Sequence, residues 1–413
     1  MNTTRRGGTG DVATATDGAP RKRRLVGIDA ARGLALIGLM AIHLLPAWNE
    51  QTGEASWSWR LFSGHSAALF ALLAGVGLAL GSGARQPREG RALTADRVSV
   101  LVRALLIVTV GMTVNAAMPE DPPAYNILFY YGMFFILAIP FLHARPKTLF
   151  IWAAAFGVLS PLLMQRMLDV LPEWWYYNPT LPNVLSNPAG TLSQLLLTGN
   201  YPALPYMTYL LVGMGLGRLD LRAVRTQVRL VIVGVALTLL AQLVSAVLLY
   251  GLGGYSVLQE ASRLSESTLD EILVWGTDSL PTDTGWWLAI TTPHSNTPLA
   301  IATSLGLSLA VLGVFLLISQ KIGDWLLPLS AMGSMTLTLY SAHLLALSLE
   351  LHYYSPYLWY LVHVLVAAVF AVIWQRTLGQ GPLERVVAYC AKRTRRLVAG
   401  QGGNANPGKT RNS

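Results

Sequence analysis

The pattern of apolar and polar positions predicts a bundle of long helices. Ten apolar stretches have about the length that a helix needs to cross a bilayer, roughly 20 residues. They are 26–48, 61–83, 98–118, 125–144, 148–168, 203–218, 230–250, 298–319, 325–349 and 357–375. The pattern therefore predicts an all-α, polytopic integral membrane protein with about ten transmembrane helices in a multi-pass arrangement in the plasma or inner membrane.

The composition favours the same class of protein. Of 413 residues, 53 % are hydrophobic and only 12 % are charged, whereas soluble domains carry roughly 25 % charged residues. The chain has one cysteine, Cys390, so an intramolecular disulfide and a cysteine-based metal centre are excluded. No other set of metal ligands is evident in the sequence, and we expect no metal.

The charges behind the net value of +9 are distributed unevenly along the chain, and this distribution predicts a membrane topology. With a cytoplasmic N-terminus, the cytoplasmic segments hold 25 of the 30 Lys and Arg residues, and the external segments hold three. Lys and Arg are enriched in cytoplasmic loops of membrane proteins, so both termini are predicted to be cytoplasmic. The basic charge then indicates contact with anionic lipid and argues against nucleic acid as a partner.

The chain divides into a transmembrane domain between two basic tails. Residues 1–24 are predicted to be a disordered cytoplasmic tail, and 25–376 the transmembrane domain. Residues 377–413 form the second cytoplasmic tail, in which 382–398 can be a basic amphipathic helix on the inner leaflet.

Two long external loops, 169–202 and 251–297, interrupt the transmembrane domain, and the second contains a predicted short helix near 265–275. The first carries Trp174 to Tyr177 and the second Trp286-Trp287. Such aromatic residues are typical of an interfacial belt, and stacking on a sugar ring is the alternative.

Ionisable residues inside spanning helices are costly and are therefore candidates for function. In the first helix Asp29 and Arg32 are three residues apart, and His43, eleven residues after Arg32, returns to nearly the same face. An interfacial ion pair and a structural histidine would give the same pattern. Arg103, at the start of the third helix, is a further candidate, although its side chain could simply reach to the interface.

The candidate proton-transfer groups are histidines in the predicted outer half. His65 begins the second helix beside a small-residue stripe (Gly64, Ala68, Ala71 and Gly75) that predicts close helix packing. His343 lies in the outer half of the ninth helix, on one face with Thr336 and Tyr340. His294 lies in the loop Thr292-Pro293-His294-Ser295-Asn296, where it could be a general base or a solvated loop residue.

The sequence resembles a known family at several places. Arg24 to Ala35 read R-L-x-G-x-D-x-x-R-G-L-A, and further similar pieces are 209–218, 333–340 and 381–385. These pieces resemble the heparan-α-glucosaminide N-acetyltransferase-like transmembrane acyltransferases and their bacterial relatives of the YeiB type.

The resemblance implies an enzyme that takes an acetyl group from cytoplasmic acetyl-CoA and passes it to an external acceptor, typically an amino sugar. It implies a histidine as base or transient acyl carrier in the loop before the second helix. Here that loop, 49–60, has no histidine, and His65 is the nearest.

We therefore expect a membrane-embedded acyltransferase with acetyl-CoA as co-substrate and a sugar or envelope glycan as acceptor. Asp29, Arg32 and Arg103 would meet the CoA phosphates or orient its pantetheine arm at the inner mouth, and the arginines match phosphate geometry. One of the four histidines His43, His65, His294 and His343 would deprotonate the acceptor. A transporter of a small or lipid-linked molecule and a non-catalytic membrane partner are the alternatives, and a homodimer is left open.

Overall fold

The computed structural model describes residues 25–119, 121–277 and 279–400, with the backbone alone at 352–353. The predicted tail 1–24 and the end of the second tail, 401–413, lie outside the described residues. The α-helices in chain order are α1 Val26–Leu44, α2 Trp57–Phe62, α3 His65–Gly81, α4 Gly90–Ala116, α5 Leu128–Ala138, α6 Pro146–Met167, α7 Leu181–Ser186, α8 Pro188–Ser193, α9 Ala203–Gly217, α10 Val224–Ala246, α11 Gly254–Ala261, α12 Glu266–Trp275, α13 Pro298–Ile322, α14 Leu327–Ser334, α15 Thr336–Leu347, α16 Pro356–Thr377 and α17 Pro382–Gly400. Short 3₁₀ segments (Ile139–Phe141, Gly285–Ala289, Leu351–Tyr354) and π-helical segments (Gln194–Thr198, Val247–Gly251) extend or connect them.

Seven helical stretches of the described chain are long and apolar enough to cross a membrane. They are Val26–Leu44, Trp57–Gly81, Gly90–Ala116, Pro146–Met167, Val224–Gly251, Pro298–Ile322 and Pro356–Thr377. Three shorter apolar helices, Leu128–Phe141, Ala203–Gly217 and Thr336–Leu347, fall in the other predicted spans. The all-helical membrane fold is thus confirmed, while the number ten and the orientation of the termini stay predictions.

The predicted span 325–349 is wrong as one continuous helix. The chain leaves helical geometry at Met335 (φ −137°, ψ 42°), between α14 and α15. The new helix start is stabilised by Glu384 of α17, whose carboxylate accepts hydrogen bonds from the Thr338 backbone N–H at 3.1 Å and from its hydroxyl at 2.6 Å. A carboxylate at a helix N-terminus satisfies N–H groups that have no partner within the helix.

The predicted span 61–83 is interrupted in the same way. Gly64 adopts φ +71° between α2 and α3, a conformation that glycine adopts without steric cost. The helix therefore restarts at His65, and its polar N-terminal end lies beside the 291–297 loop.

Glycine pairs bring helices into backbone contact. A side chain on Gly213 of α9 would collide with the carbonyl of Leu72 in α3, and one on Gly75 of α3 would collide with the carbonyl of Leu210 in α9. Gly33 of α1 with Gly333 of α14, and Gly234 of α10 with Gly306 of α13, form equivalent pairs. Within the predicted small-residue stripe, Ala68, Ala71 and Gly75 are buried, as expected for close packing.

The second long loop, 251–297, folds around a small core of its own. Leu258 of α11, Leu269 of α12, Trp287 and Ile290 are fully buried there, and α12 confirms the predicted short helix. The Trp287 indole donates to Asp283 at 3.0 Å. Trp287 is therefore a core residue, and both sequence-based interpretations of it, a belt residue and a sugar platform, are wrong.

The predicted C-terminal amphipathic helix is present as α17, which packs against α4. Val387 and Ala391 are buried in that contact, and the Ser99 hydroxyl of α4 donates to the Ala391 carbonyl at 3.0 Å. Arg393 and Arg396 are exposed on the other side. Contact of this basic surface with anionic lipid stays a prediction.

We predict that Gly213→Ala lowers the free energy of unfolding by about 1–3 kcal/mol, the usual cost of overpacking, because the new methyl group must separate α9 from α3. Unfolding of the detergent-solubilised protein in denaturant would measure the change. Gly81→Ala is the matched control, since a methyl group there meets nothing within 4 Å. Equal stability of the two variants would contradict the proposed contact.

Candidate functional site

Two cavities lie inside the described helices. The first, here called the basic cavity, has a volume of about 490 Å³ and is defined by Arg32, Asp96, Arg103, Glu384, Lys392 and Arg395. The second, the histidine cavity, has a volume of about 450 Å³ and is defined by His43, Trp59, Tyr125, Tyr201, Trp275 and His294.

The two cavities lie back to back. On α1, Leu39 lines the basic cavity and His43 lines the histidine cavity, so about 6 Å of helix separates them. Tyr340 of α15 also lines the basic cavity, and its hydroxyl donates to the carbonyl of Tyr125, a residue of the histidine cavity, at 3.3 Å. The wall between the cavities therefore includes one turn of α1 and the hydrogen-bonded residues Tyr340 and Tyr125.

The structure brings Arg32 and Arg103 to one cavity. The Arg32 guanidinium donates to the Leu73 carbonyl at 2.9 Å and pairs with Asp29 at 3.4 Å. Asp29 itself is buried beside it. The Arg103 guanidinium lies 5.4 Å from the centre of the Phe135 ring, a cation–π distance. These contacts hold two cations toward the same space.

Sequence analysis missed the contribution of α17 to the basic cavity. Asp96 of α4 pairs with Arg395 of α17 at 3.0 Å and with Arg88 at 2.6 Å. Glu384 and Lys392 of α17 line the same cavity. The only indication in the sequence was the family-like piece 381–385, which contains Glu384. No local sequence pattern predicts that an amphipathic helix will cover a cavity.

His294 reaches the histidine cavity from a constrained loop. Its φ is +61° and that of Asn296 is +53°, and non-glycine residues in this region are uncommon and concentrate at functional sites. The Asn296 amide donates to the His294 carbonyl at 2.9 Å. The His294 ring lies edge-on to Tyr201, with 5.7 Å between centroids.

Burial lowers the pKa of His294 to about 4, although a backbone hydrogen bond with Asn200 acts in the opposite direction. His294 is therefore neutral near pH 7, with one ring nitrogen able to accept a proton. This burial argues against a solvated loop residue, and the role of general base stays a prediction.

His43 belongs to a chain of three histidines. Its Nδ1 lies 3.1 Å from Nε2 of His343, and Nδ1 of His343 lies 2.8 Å from Nδ1 of His363. The His43 and His343 rings are stacked, with 6° between their planes. His343 is only 3 % exposed. His43 and His343 were candidates from the sequence and His363 was not, because the contact that joins them brings α1 against α15 and α16 across 300 positions of the chain.

His65 lines neither cavity, although it lies close enough to His294 for an electrostatic interaction. Its Nδ1 lies 2.9 Å from the Ser304 hydroxyl of α13. Among the described residues that line the two cavities, His43 and His294 are the histidines, and both line the same one. His65 and His343 thus lie behind the lining.

Aromatic residues surround the histidine cavity, but they are mostly not those expected. Trp59 and Trp275 both line it, with ring centroids 5.5 Å apart. From the predicted group, Tyr177 stacks on the cavity residue Tyr125 at 4.5 Å. Trp59 belongs to α2 and Trp275 ends α12, two short helices distant in sequence that the fold brings together, so no local pattern predicts their pairing.

These features define a class: a multi-pass membrane protein with a cationic cavity and a histidine-containing cavity on opposite sides of a thin wall. Residues 24–249, more than half of the chain, match the family described as heparan-alpha-glucosaminide N-acetyltransferase, catalytic. The chain belongs to this family, and membership implies acetyltransferase activity. No curated protein matches the chain.

The family match divides the candidate residues. Asp29, Arg32, His43, His65 and Arg103 lie within it, whereas His294 and His343 follow it. Outside the matched region, residues between 275 and 296 complete the histidine cavity, and residues of α14, α15 and α17 complete the basic cavity.

We predict that the stability of the protein falls as the pH drops from about 6.5 toward 4, and that His294→Asn reduces this fall. Below its ordinary pKa of about 6.5, His294 takes up a proton in the unfolded state but not in the folded state, so acid favours unfolding. Asparagine tolerates the positive φ. Denaturant unfolding at about pH 5 and pH 7.5 would measure the difference, with the exposed His143→Asn as control. An unchanged pH dependence in His294→Asn would contradict the prediction.

Proposed function

We propose that the protein transfers an acetyl group from cytoplasmic acetyl-CoA, bound in the basic cavity, to an acceptor bound in the histidine cavity on the external side. The observation that carries this proposal is the thin wall between the cavities, at Leu39, His43 and Tyr340. Because attack requires the reacting atoms to be about 3–3.5 Å apart, the acetyl end of CoA would have to pass this wall beside His43 to meet the acceptor. The predicted charge topology places the basic cavity toward the cytoplasm.

The basic cavity suits a polyanionic co-substrate such as CoA. Arg32 and Arg103 would meet its phosphates or orient its pantetheine arm, because guanidinium groups bind phosphate through paired hydrogen bonds. Lys392 and Arg395 of α17 would contribute at the same cavity. Asp96 and Glu384 are engaged by Arg395 and Thr338, respectively, which reduces their repulsion of a phosphate.

His43 is the proposed general base, because it lines the histidine cavity at the wall. It would take the proton from an acceptor hydroxyl or amine while the acceptor oxygen or nitrogen attacks the acetyl carbonyl carbon. The carbon–sulfur bond then breaks, and the protonated His43 returns the proton to the CoA thiolate. His294, neutral in the same cavity, would orient the acceptor, and Trp59 with Trp275 would stack against a sugar ring.

The direct test uses proteoliposomes with acetyl-labelled acetyl-CoA on the side of the chain termini. D-glucosamine, D-glucose or an envelope-glycan extract is enclosed on the other side. We expect label on an enclosed acceptor. Binding of acetyl-CoA without label on any of the three would contradict the proposal, and movement of an intact compound across the membrane would favour a transporter.

We predict that His43→Leu lowers kcat by about 100-fold or more, the usual contribution of a general base, and leaves KM for acetyl-CoA nearly unchanged. His143→Leu, an exposed histidine replacement, should retain wild-type activity. A correctly folded His43→Leu protein with wild-type kcat would exclude this role for His43.

We also predict that Arg103→Leu raises KM for acetyl-CoA by about tenfold or more, since a hydrogen bond to a charged group contributes about 1.5–3 kcal/mol. Arg91→Leu is the matched control, because Arg91 is an exposed cation on the same helix. Equal kinetic effects in the two variants would show that Arg103 acts only through general surface charge.

A further inference from the structure

We propose that His363 is a positioning residue that sets the direction of the hydrogen bonds along the histidine chain, and so presents His43 to the cavity as a base. The catalytic meaning of this inference rests on the proposed function. The hydrogen-bond direction itself can be tested without any acetyl transfer.

The geometry forms a continuous path of ring nitrogens. The inter-ring distances are 3.1 Å from His43 Nδ1 to His343 Nε2, and 2.8 Å from His343 Nδ1 to His363 Nδ1, within hydrogen-bonding range. His343 is therefore the middle member and uses both of its nitrogens. Nε2 of His43 takes no part in this path, and His43 lines the histidine cavity.

If all three imidazole rings are neutral, their N–H protons can be placed in two ways. A neutral imidazole has one N–H donor and one acceptor nitrogen, and each inter-ring hydrogen bond needs one proton. If His343 donates from Nε2 to His43, then His43 must carry its own proton on Nε2 and cannot act there as a base. If His343 donates from Nδ1 to His363, then His43 donates from Nδ1 to His343, and its Nε2 is unprotonated.

His363 decides between these arrangements because it is the partner of the middle ring. By accepting at Nδ1, with its own proton on Nε2, it selects the arrangement in which His43 is a base. When His43 Nε2 takes a proton from the acceptor, the two inter-ring protons can shift, so that the positive charge moves onto His343 or His363. The same shifts in reverse return the proton through His43, and no proton is gained or lost by the chain.

The location of His363 is unusual for a merely structural residue. Helix α16 is apolar and largely exposed in this protein, and Ala367 and Ala371 are its buried residues. A half-buried histidine in such a helix carries a desolvation cost that a structural role does not require. Its ring is placed edge-on to His343, with centroids 5.0 Å apart and an interplanar angle of 89°, which points its Nδ1 into the chain.

The test compares three substitutions at one position. His363→Asn keeps an acceptor, because Oδ1 is bonded to Cγ as Nδ1 is in histidine. His363→Leu has a similar shape without any polar atom. His363→Lys offers only donors and would force the reverse direction. We expect kcat near wild type for Asn, about tenfold lower for Leu and lower still for Lys, with KM for acetyl-CoA unchanged. His143→Leu is the control.

A second measurement reports directly on whether a ring nitrogen of His43 is unprotonated. Diethyl pyrocarbonate modifies unprotonated imidazole nitrogen, and peptide mass spectrometry of the purified full chain would give the rate at His43. We expect the same order: wild type and Asn fastest, Leu slower by severalfold, and Lys slowest. A structural role would instead favour Leu over Asn in an apolar helix.

The two measurements separate the two proposals. The expected order of His43 modification in a protein without acetyl transfer would support the hydrogen-bond direction and contradict the proposed function. Equal modification of His43 in all variants would overturn the inference, whether or not the protein transfers acetyl groups. Equal kcat in the Asn, Leu and Lys variants would also overturn it.

Discussion

The close contact of α1 with its neighbours is the constraint on which both cavities depend. Lipid tails are as apolar as leucine, so helices in a bilayer are held by packing rather than by a hydrophobic effect between them. A side chain on Gly27 would strike the backbone of α13, and one on Gly33 the backbone of α14. Gly38 faces Ser66 of α3 and Phe62 of α2. With glycine at these positions, α1 can form a thin shared wall between the two cavities.

The ionisable side chains differ between the two sides of this wall. A charged or polar group in a low-dielectric interior is costly unless it is paired. Asp96 pairs with Arg88 and Arg395, and Arg32 contacts both Asp29 and the Leu73 carbonyl. These ion pairs collect around the basic cavity. On the other side of the wall, hydrogen-bonding histidines take their place, which suits proton transfer better than phosphate binding.

The second half of the chain supplies parts that the family match does not cover. The match ends at residue 249, yet α17 closes the basic cavity with Glu384, Lys392 and Arg395. The break at Met335 lets α15 begin afresh under the Glu384 carboxylate. That restart places Tyr340 at the wall and His343 against His43.

The sequence by itself determined the membrane class, the approximate helices and the candidate residues of α1. These features follow from local properties: apolar length, the low frequency of charges and the 3.6-residue period that aligns Arg32 with His43. Arg32 and His43 share a helix face but not a cavity. Arg32, together with Leu39, lines the basic cavity, and His43 lines the histidine cavity.

Only the tertiary structure decided which distant residues meet. His43, His343 and His363 come from α1, α15 and α16, and Trp59 of α2 meets Trp275 of α12. It also decided that Trp287 is a core residue and that His65 lies behind the cavity lining. Such contacts depend on how helices pack and where they break, and no local pattern of residues specifies the pairing of segments 300 positions apart.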